Sequence, residues 1–116
     1  MDWIPLTSSD QIAHFFKPFD DNFTAPLLLF KHSPRCGTSI RIKKMFEEEF
    51  NRLQPEIPVH LLDVIAYREL AASLAKRAGV QHESPQLLLF KGKKCLYHAS
   101  HCEISADEIN DVLAQL

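Results

Sequence analysis

The sequence lacks the features that mark several common classes of protein. It has no basic excess: 13 Lys and Arg stand against 15 Asp and Glu, a net charge of −2, so no nucleic-acid surface is expected. Its longest plain apolar runs, 27–30 and 87–90, are strand-sized and too short to cross a membrane. Three cysteines, an odd number without paired spacing, make a poor disulfide framework. The start carries no basic region and no apolar signal core, which predicts a cytoplasmic protein in a reducing compartment.

The remaining composition is that of an ordinary globular protein. Over 116 residues, 46% are apolar and 24% are charged, which predicts a single domain over residues 1–116. Apolar runs predict strands, and apolar residues spaced by three and four predict helices. The strands are expected at 3–6, 26–32, 59–65, 86–91 and 95–100, and the helices at 9–17, 36–53, 67–79 and 105–116.

The order of these elements is β-α-β-α-β-α-β-β-α. It predicts an α/β fold, a three-layer α/β/α sandwich with a mixed central sheet. The alternating strands are expected to be parallel, and the segment KGKK (91–94) is expected to form a hairpin turn that adds an antiparallel pair. The same element order is typical of the thioredoxin fold.

A single cysteine, Cys36, lies in the segment KHSPRCGTS (31–39), between a predicted buried strand and a predicted helix. The free N–H groups and the dipole of a helix N-terminus favour a thiolate, which is the nucleophilic form of cysteine. Four cations lie at or near the start of this helix: Arg35, Arg41, Lys43 and Lys44. Because helices are stabilised by acids at the start and bases at the end, this order suggests a local function. We therefore predict a reactive thiol at a positively charged helix start.

Ser39 stands three positions after Cys36, where a dithiol protein has its second cysteine. A serine hydroxyl does not form disulfides, so an outside thiol has to resolve any mixed disulfide on Cys36. Ser39 is instead expected to donate a hydrogen bond to the Cys36 thiolate.

Pro85, in the segment HESPQLLLF (82–90), occupies the position at which the thioredoxin fold has a cis proline beside the reactive cysteine. We therefore expect a cis Ser84–Pro85 bond close to Cys36. The backbone groups of Ser84 are then expected to pair with an extended substrate in the manner of strand addition.

Three segments together resemble the YtxJ-like monothiol bacilliredoxin family of the bacillithiol system: FKHSPRCGTS, HESPQLLLFKGKK and YHASHCEIS. The resemblance covers nearly the whole chain and implies a thioredoxin-like fold. It implies a nucleophile at Cys36, the serine of the resolving position at Ser39 and the active-site proline at Pro85. It further implies an enzyme, a thiol–disulfide oxidoreductase that removes bacillithiol from S-bacillithiolated proteins. Bacillithiol is the implied co-substrate, and no tightly bound cofactor is expected.

The expected substrate-binding residues surround the nucleophile: His32, Arg35, Gly37, Thr38 and Ser84. Bacillithiol bears a malyl group with two carboxylates, which a cation such as Arg35 suits. Gly37 also follows the nucleophile in glutaredoxin-type CGFS sites, so an iron–sulfur cluster carrier is an alternative, although no Gly-Gly element precedes the final helix. A non-catalytic thioredoxin-fold adaptor is a third alternative.

The other cysteines are expected to pack rather than react. Cys95 lies in a predicted strand, where a small buried hydrophobe is the usual role. Cys102 replaces an aromatic residue expected from the resemblance, and it is the candidate for a resolving thiol in this chain. The histidines around Cys102 match no zinc pattern, so no metal is expected. His32 and His82 flank the two active-site segments and are candidates to tune Cys36 or to protonate a leaving thiolate.

Overall fold

The computed structural model describes residues 2–16, 25–53, 57–92 and 94–115. Within them the predicted order β-α-β-α-β-α-β-β-α is confirmed. The strands are β1 (Ile4–Pro5), β2 (Pro26–His32), β3 (Val59–Asp63), β4 (Gln86–Lys91) and β5 (Lys94–Ser100). The helices are α1 (Ser9–Phe15), α2 (Gly37–Leu53), α3 (Arg68–Ala78) and α4 (Ala106–Ala114). A 3-10 turn that the sequence did not predict, His101–Glu103, lies before α4.

The strands form one mixed sheet in the order β1-β3-β2-β4-β5. β1 and β2 both run parallel to β3, whereas β4 is antiparallel to β2 and β5 is antiparallel to β4. The expectation that every alternating strand is parallel was therefore wrong for β4. Its pairing with β2 joins segments far apart in the chain, which local periodicity does not encode. Because of this direction, Gln86 at the start of β4 lies opposite Lys31 near the end of β2.

Two apolar clusters cover the two faces of the sheet, which confirms the three-layer arrangement. One packs α1 and α3 against Leu29, Leu62, Leu88 and Phe90. The other packs α2 and α4 against Leu28, Phe30, Leu87 and Leu89. Since both faces of β2 and β4 are buried, these strands are nearly continuous apolar runs. In the part of the chain that the structure describes, no helix is long and apolar enough to cross a membrane.

Local hydrogen bonds set several element ends. β3 stops at Asp63, two residues earlier than predicted, because the Asp63 carboxylate accepts the N–H groups of Ile65 and Ala66 at 2.9 and 3.0 Å and turns the chain. α3 ends at Gly79, as predicted, with a φ of 68° that favours glycine. Residues 17, 93 and 116, which belong to the predicted first helix, hairpin turn and last helix, lie outside the described residues.

Candidate active site

Cys36 is the last residue of the loop that connects the end of β2 to the start of α2. Its N–H donates to the Ser33 carbonyl at 3.1 Å, and its carbonyl accepts the N–H of Ile40 at 3.0 Å. Cys36 is thus the capping residue directly before the helix. The sequence had instead suggested that it belongs to the first turn. The first turn of α2 contains no acidic residue. The half-buried thiol therefore lies at the positive end of the helix dipole without an opposing carboxylate in that turn.

The residues flanking Cys36 leave the thiol approachable. Arg35, Gly37 and Thr38 are all exposed. A Cβ placed on Gly37 meets no atom within 4 Å, so the space beside the cysteine is open. The expected substrate-binding residues on this loop are therefore placed where a ligand can reach them.

Ser39 is completely buried, in contrast to its exposed neighbours. Its hydroxyl accepts the N–H of Ser33 at 3.0 Å and lies 2.7 Å from Nδ1 of His32. The sequence had predicted Cys36 as the partner of this hydroxyl. The structure instead connects it to His32, a residue of β2, and through Ser33 to the loop that carries the thiol.

The half-buried His32 ring lies among charged groups of two elements. Burial lowers the pKa of His32, and the Lys43 ammonium on α2 lowers it further, whereas Asp63 and Glu47 raise it. The net direction is downward, so the ring is neutral at pH 7. A neutral imidazole has one N–H and one acceptor nitrogen, and its partner selects the tautomer.

Lys43 is held in place by a small network that includes the single tryptophan of the chain. Trp3 donates its indole N–H to Glu47 at 2.8 Å, and Lys43 donates to the same carboxylate oxygen at 3.2 Å. The Lys43 ammonium also lies 5.5 Å from the centroid of the Trp3 ring. Partial burial alone would raise the pKa of Glu47, but the hydrogen bonds from Trp3 and Lys43 lower it overall. The network places a fixed positive charge near His32.

The proline segment lies at the same edge of the sheet as Cys36. The Ser84–Pro85 peptide bond is cis, as predicted. Pro85 is buried, and its carbonyl accepts the N–H of His101 at 2.9 Å, which ties the 3-10 turn to this segment. Among the described residues, the Ser84 hydroxyl is a buried side-chain polar atom without a hydrogen-bond partner.

Lys31, whose burial the sequence did not predict, is hydrogen-bonded to the residue that follows Pro85. Lys31 is only 1% exposed and donates to Oε1 of Gln86 at 3.0 Å. The Gln86 amide donates in turn to the Gln81 carbonyl at 3.1 Å and to the Ser100 hydroxyl at 3.4 Å. Burial lowers the pKa of Lys31 to about 8, against a smaller opposite effect of Glu83. The only available sequence signal was a lysine directly after the apolar run 27–30, which fits an exposed strand end equally well.

The remaining cysteines differ in their surroundings. Cys95 is half-buried and donates its thiol to the Tyr97 carbonyl at 3.4 Å, and burial raises its pKa. Cys102 is exposed in the 3-10 turn, with its sulfur 3.9 Å from the guanidinium of Arg41. All three cysteines are free. Over the described ranges, no group of three or more His, Cys, Asp or Glu side chains is arranged to hold a metal ion.

A groove of about 630 Å³ lies away from this site, between the start of α1 and the turn that leads into α3. None of the predicted site residues lines it. This groove is therefore separate from the candidate active site.

Comparisons with known proteins agree with this geometry. A solved protein with a thioredoxin fold superimposes with a TM-score of 0.77 at 24% identity, over 95% of this chain and 92% of the other. A thioredoxin variant from Halobacterium salinarum gives a TM-score of 0.66 at 18% identity, over 97% and 88%. Thioredoxin O1 from Arabidopsis thaliana in the oxidised state gives 0.63 at 16% identity, over 97% and 96%. The thioredoxin-like fold is thereby confirmed. A family model described as the monothiol bacilliredoxin BrxC matches residues 4–109.

Proposed function

Because the chain belongs to the monothiol bacilliredoxin family, a family of thiol oxidoreductases, we propose that it removes bacillithiol from S-bacillithiolated proteins. Cys36 is the nucleophile and bacillithiol is the co-substrate. The observation that supports this role best is the position of Cys36. It caps α2 beside open space, with a buried serine rather than a second cysteine one helical turn later.

The first step transfers bacillithiol from the target protein to the enzyme. The Cys36 thiolate attacks the bacillithiol sulfur of the mixed disulfide. The bond between the bacillithiol sulfur and the target cysteine sulfur breaks, and a new disulfide forms between Cys36 and bacillithiol. The target cysteine leaves as a thiolate, so the number of disulfides and of electrons is unchanged.

The second step resets the enzyme. A bacillithiol thiolate attacks the bacillithiol sulfur on Cys36, which gives bacillithiol disulfide and releases the Cys36 thiolate. Ser39 takes no covalent part because a hydroxyl does not exchange with disulfides. The buried hydroxyl also occupies the space in which a second thiol would otherwise act. A monothiol cycle therefore depends on an outside thiol at this step.

Substrate recognition is assigned to the exposed loop around the thiol. Two other cations near the start of α2 have partners in the chain: Arg41 contacts the sulfurs of Met45 and Cys102, and Lys43 pairs with Glu47. Arg35 is exposed directly beside Cys36 and offers a planar pair of donors to a carboxylate. We assign the anionic part of bacillithiol to Arg35, with Gly37 and Thr38 leaving room for its sugar. Ser84 is assigned to the backbone of the target protein.

Intact-mass measurement with bacillithiol disulfide tests this function. The reduced wild type is expected to gain one bacillithiol, and the Cys36→Ser variant is expected to gain none. Cys95→Ser is the matched control, since its thiol is half-buried and hydrogen-bonded, and it is expected to behave as the wild type. Adduct formation on Cys36→Ser equal to that on the wild type would contradict the proposal.

The same experiment separates the other interpretations of the sequence. A loss of two hydrogens without an adduct would identify a second cysteine as the resolving thiol, and Cys102→Ser would then restore the adduct. Complete inertness of Cys36 would favour the adaptor. Visible absorbance after anaerobic purification, lost in Cys36→Ser, would favour the iron–sulfur carrier. A parallel reaction with glutathione disulfide measures the preference for bacillithiol.

A further inference from the structure

A second cavity, smaller than the groove described above, borders the proline segment. Its volume is about 350 Å³, at the lower end of the range typical of ligand pockets. The turn and helix that follow β3 line it with Val64, Arg68, Ala71 and Ala72, and the proline segment lines it with His82. We call this cavity the α3 pocket. The thiol exchange proposed above does not use it.

The α3 pocket lies at the edge of the sheet that carries the thiol loop. Asp63 at the end of β3 pairs with His32 at the end of β2, and the next N–H, that of Val64, donates to the His32 carbonyl at 3.0 Å. On the opposite side of the pocket, His82 is two residues before Ser84, a span of at most about 7 Å. The pocket therefore borders both segments of the candidate active site.

The walls of the α3 pocket are mostly apolar, and their charged group is a cation. Arg68 is exposed, and among the described residues its guanidinium has no ion pair or side-chain hydrogen bond. It also lines the larger groove, so open space adjoins it on two sides. Burial and the charge of Lys31 lower the pKa of His82, against an opposite effect of Glu83, so the ring is neutral at pH 7 and offers one N–H. These groups suit a carboxylate, which a guanidinium binds through two parallel hydrogen bonds.

Lys31 adds a buried positive charge on the same face of the sheet. Leu29, two residues earlier in β2, packs in one apolar cluster with Ala71 of the pocket, and side chains two apart along a strand share a face. The effect of Lys31 on the pKa of His82 shows that its charge is felt at the pocket wall. Glu83 is the carboxylate that opposes Lys31.

The balance of these charges leaves the α3 pocket positive. Arg68 and Lys31 are both cations at pH 7, and Glu83 offsets one of them. Glu69, the neighbour of Arg68, lines the larger groove but is not among the lining residues of the α3 pocket. A small cavity with hydrocarbon walls and an unpaired guanidinium fits a short apolar stem that ends in a carboxylate. An aspartate or glutamate side chain has this form.

We propose that the α3 pocket binds an acidic side chain of the target protein, so that the enzyme prefers modified cysteines with Asp or Glu nearby in the chain. The inference rests on the proposed function, in which the backbone of the target pairs with Ser84. In an extended chain, side chains two residues apart point to the same side and are about 7 Å apart. An acid two residues from the modified cysteine therefore faces the enzyme as the cysteine does. Its distance from the cysteine also matches the span from Ser84 to His82.

Kinetics with modified peptides test this preference. Two S-bacillithiolated peptides carry glutamate either two residues before or two residues after the cysteine, and matched peptides carry glutamine there. For the wild type, kcat/KM is expected to be about fivefold higher with glutamate at one of these positions, the effect of one solvent-accessible ion pair. Because salt screens such pairs, the preference is expected to shrink at high ionic strength.

Three variants assign the preference to Arg68. Arg68→Gln is expected to abolish it. Arg68→Glu is expected to reverse it, so that a peptide with lysine at the preferred position reacts faster than the glutamate peptide. Lys76→Gln removes an exposed cation from the last turn of the same helix and is the matched control. This control is expected to keep the full preference.

A second set of peptides separates the target from bacillithiol as the source of the carboxylate. These peptides carry cysteamine, which has no carboxylate, in the mixed disulfide. The glutamate preference is expected to persist with them. If Arg68→Gln instead slowed all bacillithiol peptides equally and left the cysteamine peptides unaffected, the pocket would bind the malyl group, and the proposal would be wrong.

Two further results would overturn the proposal. One is equal kcat/KM for the glutamate and glutamine peptides at both positions in the wild type. The other is a preference that Arg68→Gln retains. If the protein does not remove bacillithiol at all, binding decides: fluorescein-labelled peptides with serine in place of the cysteine are titrated with Cys36→Ser protein and followed by fluorescence anisotropy. The glutamate peptide is expected to bind about fivefold more tightly than the glutamine peptide. Equal affinities would refute the pocket assignment, whatever the outcome of the debacillithiolation test.

Discussion

The Lys31 ammonium donates a 3.0 Å hydrogen bond to Oε1 of Gln86, the residue directly opposite it in the β2–β4 pairing. Lys31 is 1% exposed, and Gln86 is 2% exposed. A buried cation hydrogen-bonded to a neutral amide is costly to fold, because its desolvation is only partly offset by the charge of Glu83. The pair fixes the start of β4, and with it the segment that contains Pro85.

Replacing Lys31 by Met is expected to change how stability depends on pH. The folded-state pKa of Lys31 is about 8, below its ordinary value of 10.5. Below about pH 8 the lysine is protonated in both states and the whole penalty is present. Between pH 8 and 10.5 the unfolded chain binds more protons, so the wild type gains stability as pH rises. Relative to Lys31→Met, the gain is expected to be about 2 kcal/mol at pH 9.5 and to reach roughly 3 kcal/mol only above pH 10.5.

Urea unfolding of both proteins at pH 7, 8.5 and 9.5 measures this difference. Comparison with Lys31→Met removes the contributions of the other titrating groups, which are common to both proteins. A difference that does not change with pH would show that Lys31 ionises in the fold as it does in water.

Glu47→Gln is expected to remove a change in Trp3 fluorescence that the wild type shows on acidification. The folded-state pKa of Glu47 is lowered, so its stabilising effect is complete above the unfolded value of about 4.3 and is lost as pH falls through the lower folded value. The fluorescence of the single tryptophan reports this step, because Trp3 donates directly to the Glu47 carboxylate. In the wild type we expect a change of Trp3 emission at a pH below the ordinary pKa of a glutamate, and this change is absent in Glu47→Gln. Glu48→Gln, at an exposed neighbouring position, is the control and is expected to keep it.

Alanine substitutions at two glycines are expected to have opposite effects. A Cβ meets no atom within 4 Å at either Gly79 or Gly37, so the difference comes from the backbone alone. Gly79 has a φ of 68°, where alanine is strained by about 1–2 kcal/mol. Gly37 is the first residue of α2, where alanine is expected to stabilise by up to about 1 kcal/mol. Thermal unfolding should therefore rank Gly37→Ala above the wild type and Gly79→Ala below it. The reverse order would contradict the backbone assigned to Gly79.

The contact between Arg41 and Cys102 predicts a difference in thiol reactivity. The guanidinium lies 3.9 Å from the sulfur and attracts the negative charge of a thiolate. Because the pair is exposed, the effect is modest, and Arg41→Gln is expected to slow Cys102 alkylation by up to about fivefold. Lys44→Gln removes an exposed charge on the same helix and is expected to leave the rate unchanged. High salt should reduce the difference between wild type and Arg41→Gln. A rate that Arg41→Gln leaves unchanged would mean that the contact is not maintained in solution.

Much of the fold could be predicted because its signals are local. The limits of β2 and β4 follow from continuous apolar runs, and the end of α3 follows from a glycine after a periodic segment. The direction of β4 could not be predicted in this way, because a buried apolar run fits a parallel and an antiparallel neighbour equally well. The same limit applies to the turn at His101, whose φ of 55° is uncommon for a residue other than glycine.

In the candidate site, too, features set by neighbouring residues could be predicted, and contacts between distant residues could not. The spacing of Cys36 and Ser39 and the position of Pro85 are visible in the sequence. The structure confirms the cis bond and begins the helix at Gly37, one residue later than predicted. The partner of Ser39 was not visible. The three-residue spacing suggested a contact within the helix, whereas the hydroxyl is bonded to a strand residue seven positions earlier. Distances between elements decide such contacts, and a sequence pattern contains no distances.

The antiparallel pairing of β2 with β4 has a consequence for engineering the chain. Six residue pairs from Pro26–Lys91 to Lys31–Gln86 set the separation between the thiol loop and the proline segment. That separation does not depend on how many residues connect the two strands by way of α3. A peptide or a reporter domain inserted between the exposed residues Gln81 and His82, after the buried Val80, is therefore expected to leave the thiol loop and the proline segment at the same separation. A reporter domain inserted there would belong to the same chain as the thiol, which suits the design of a redox sensor.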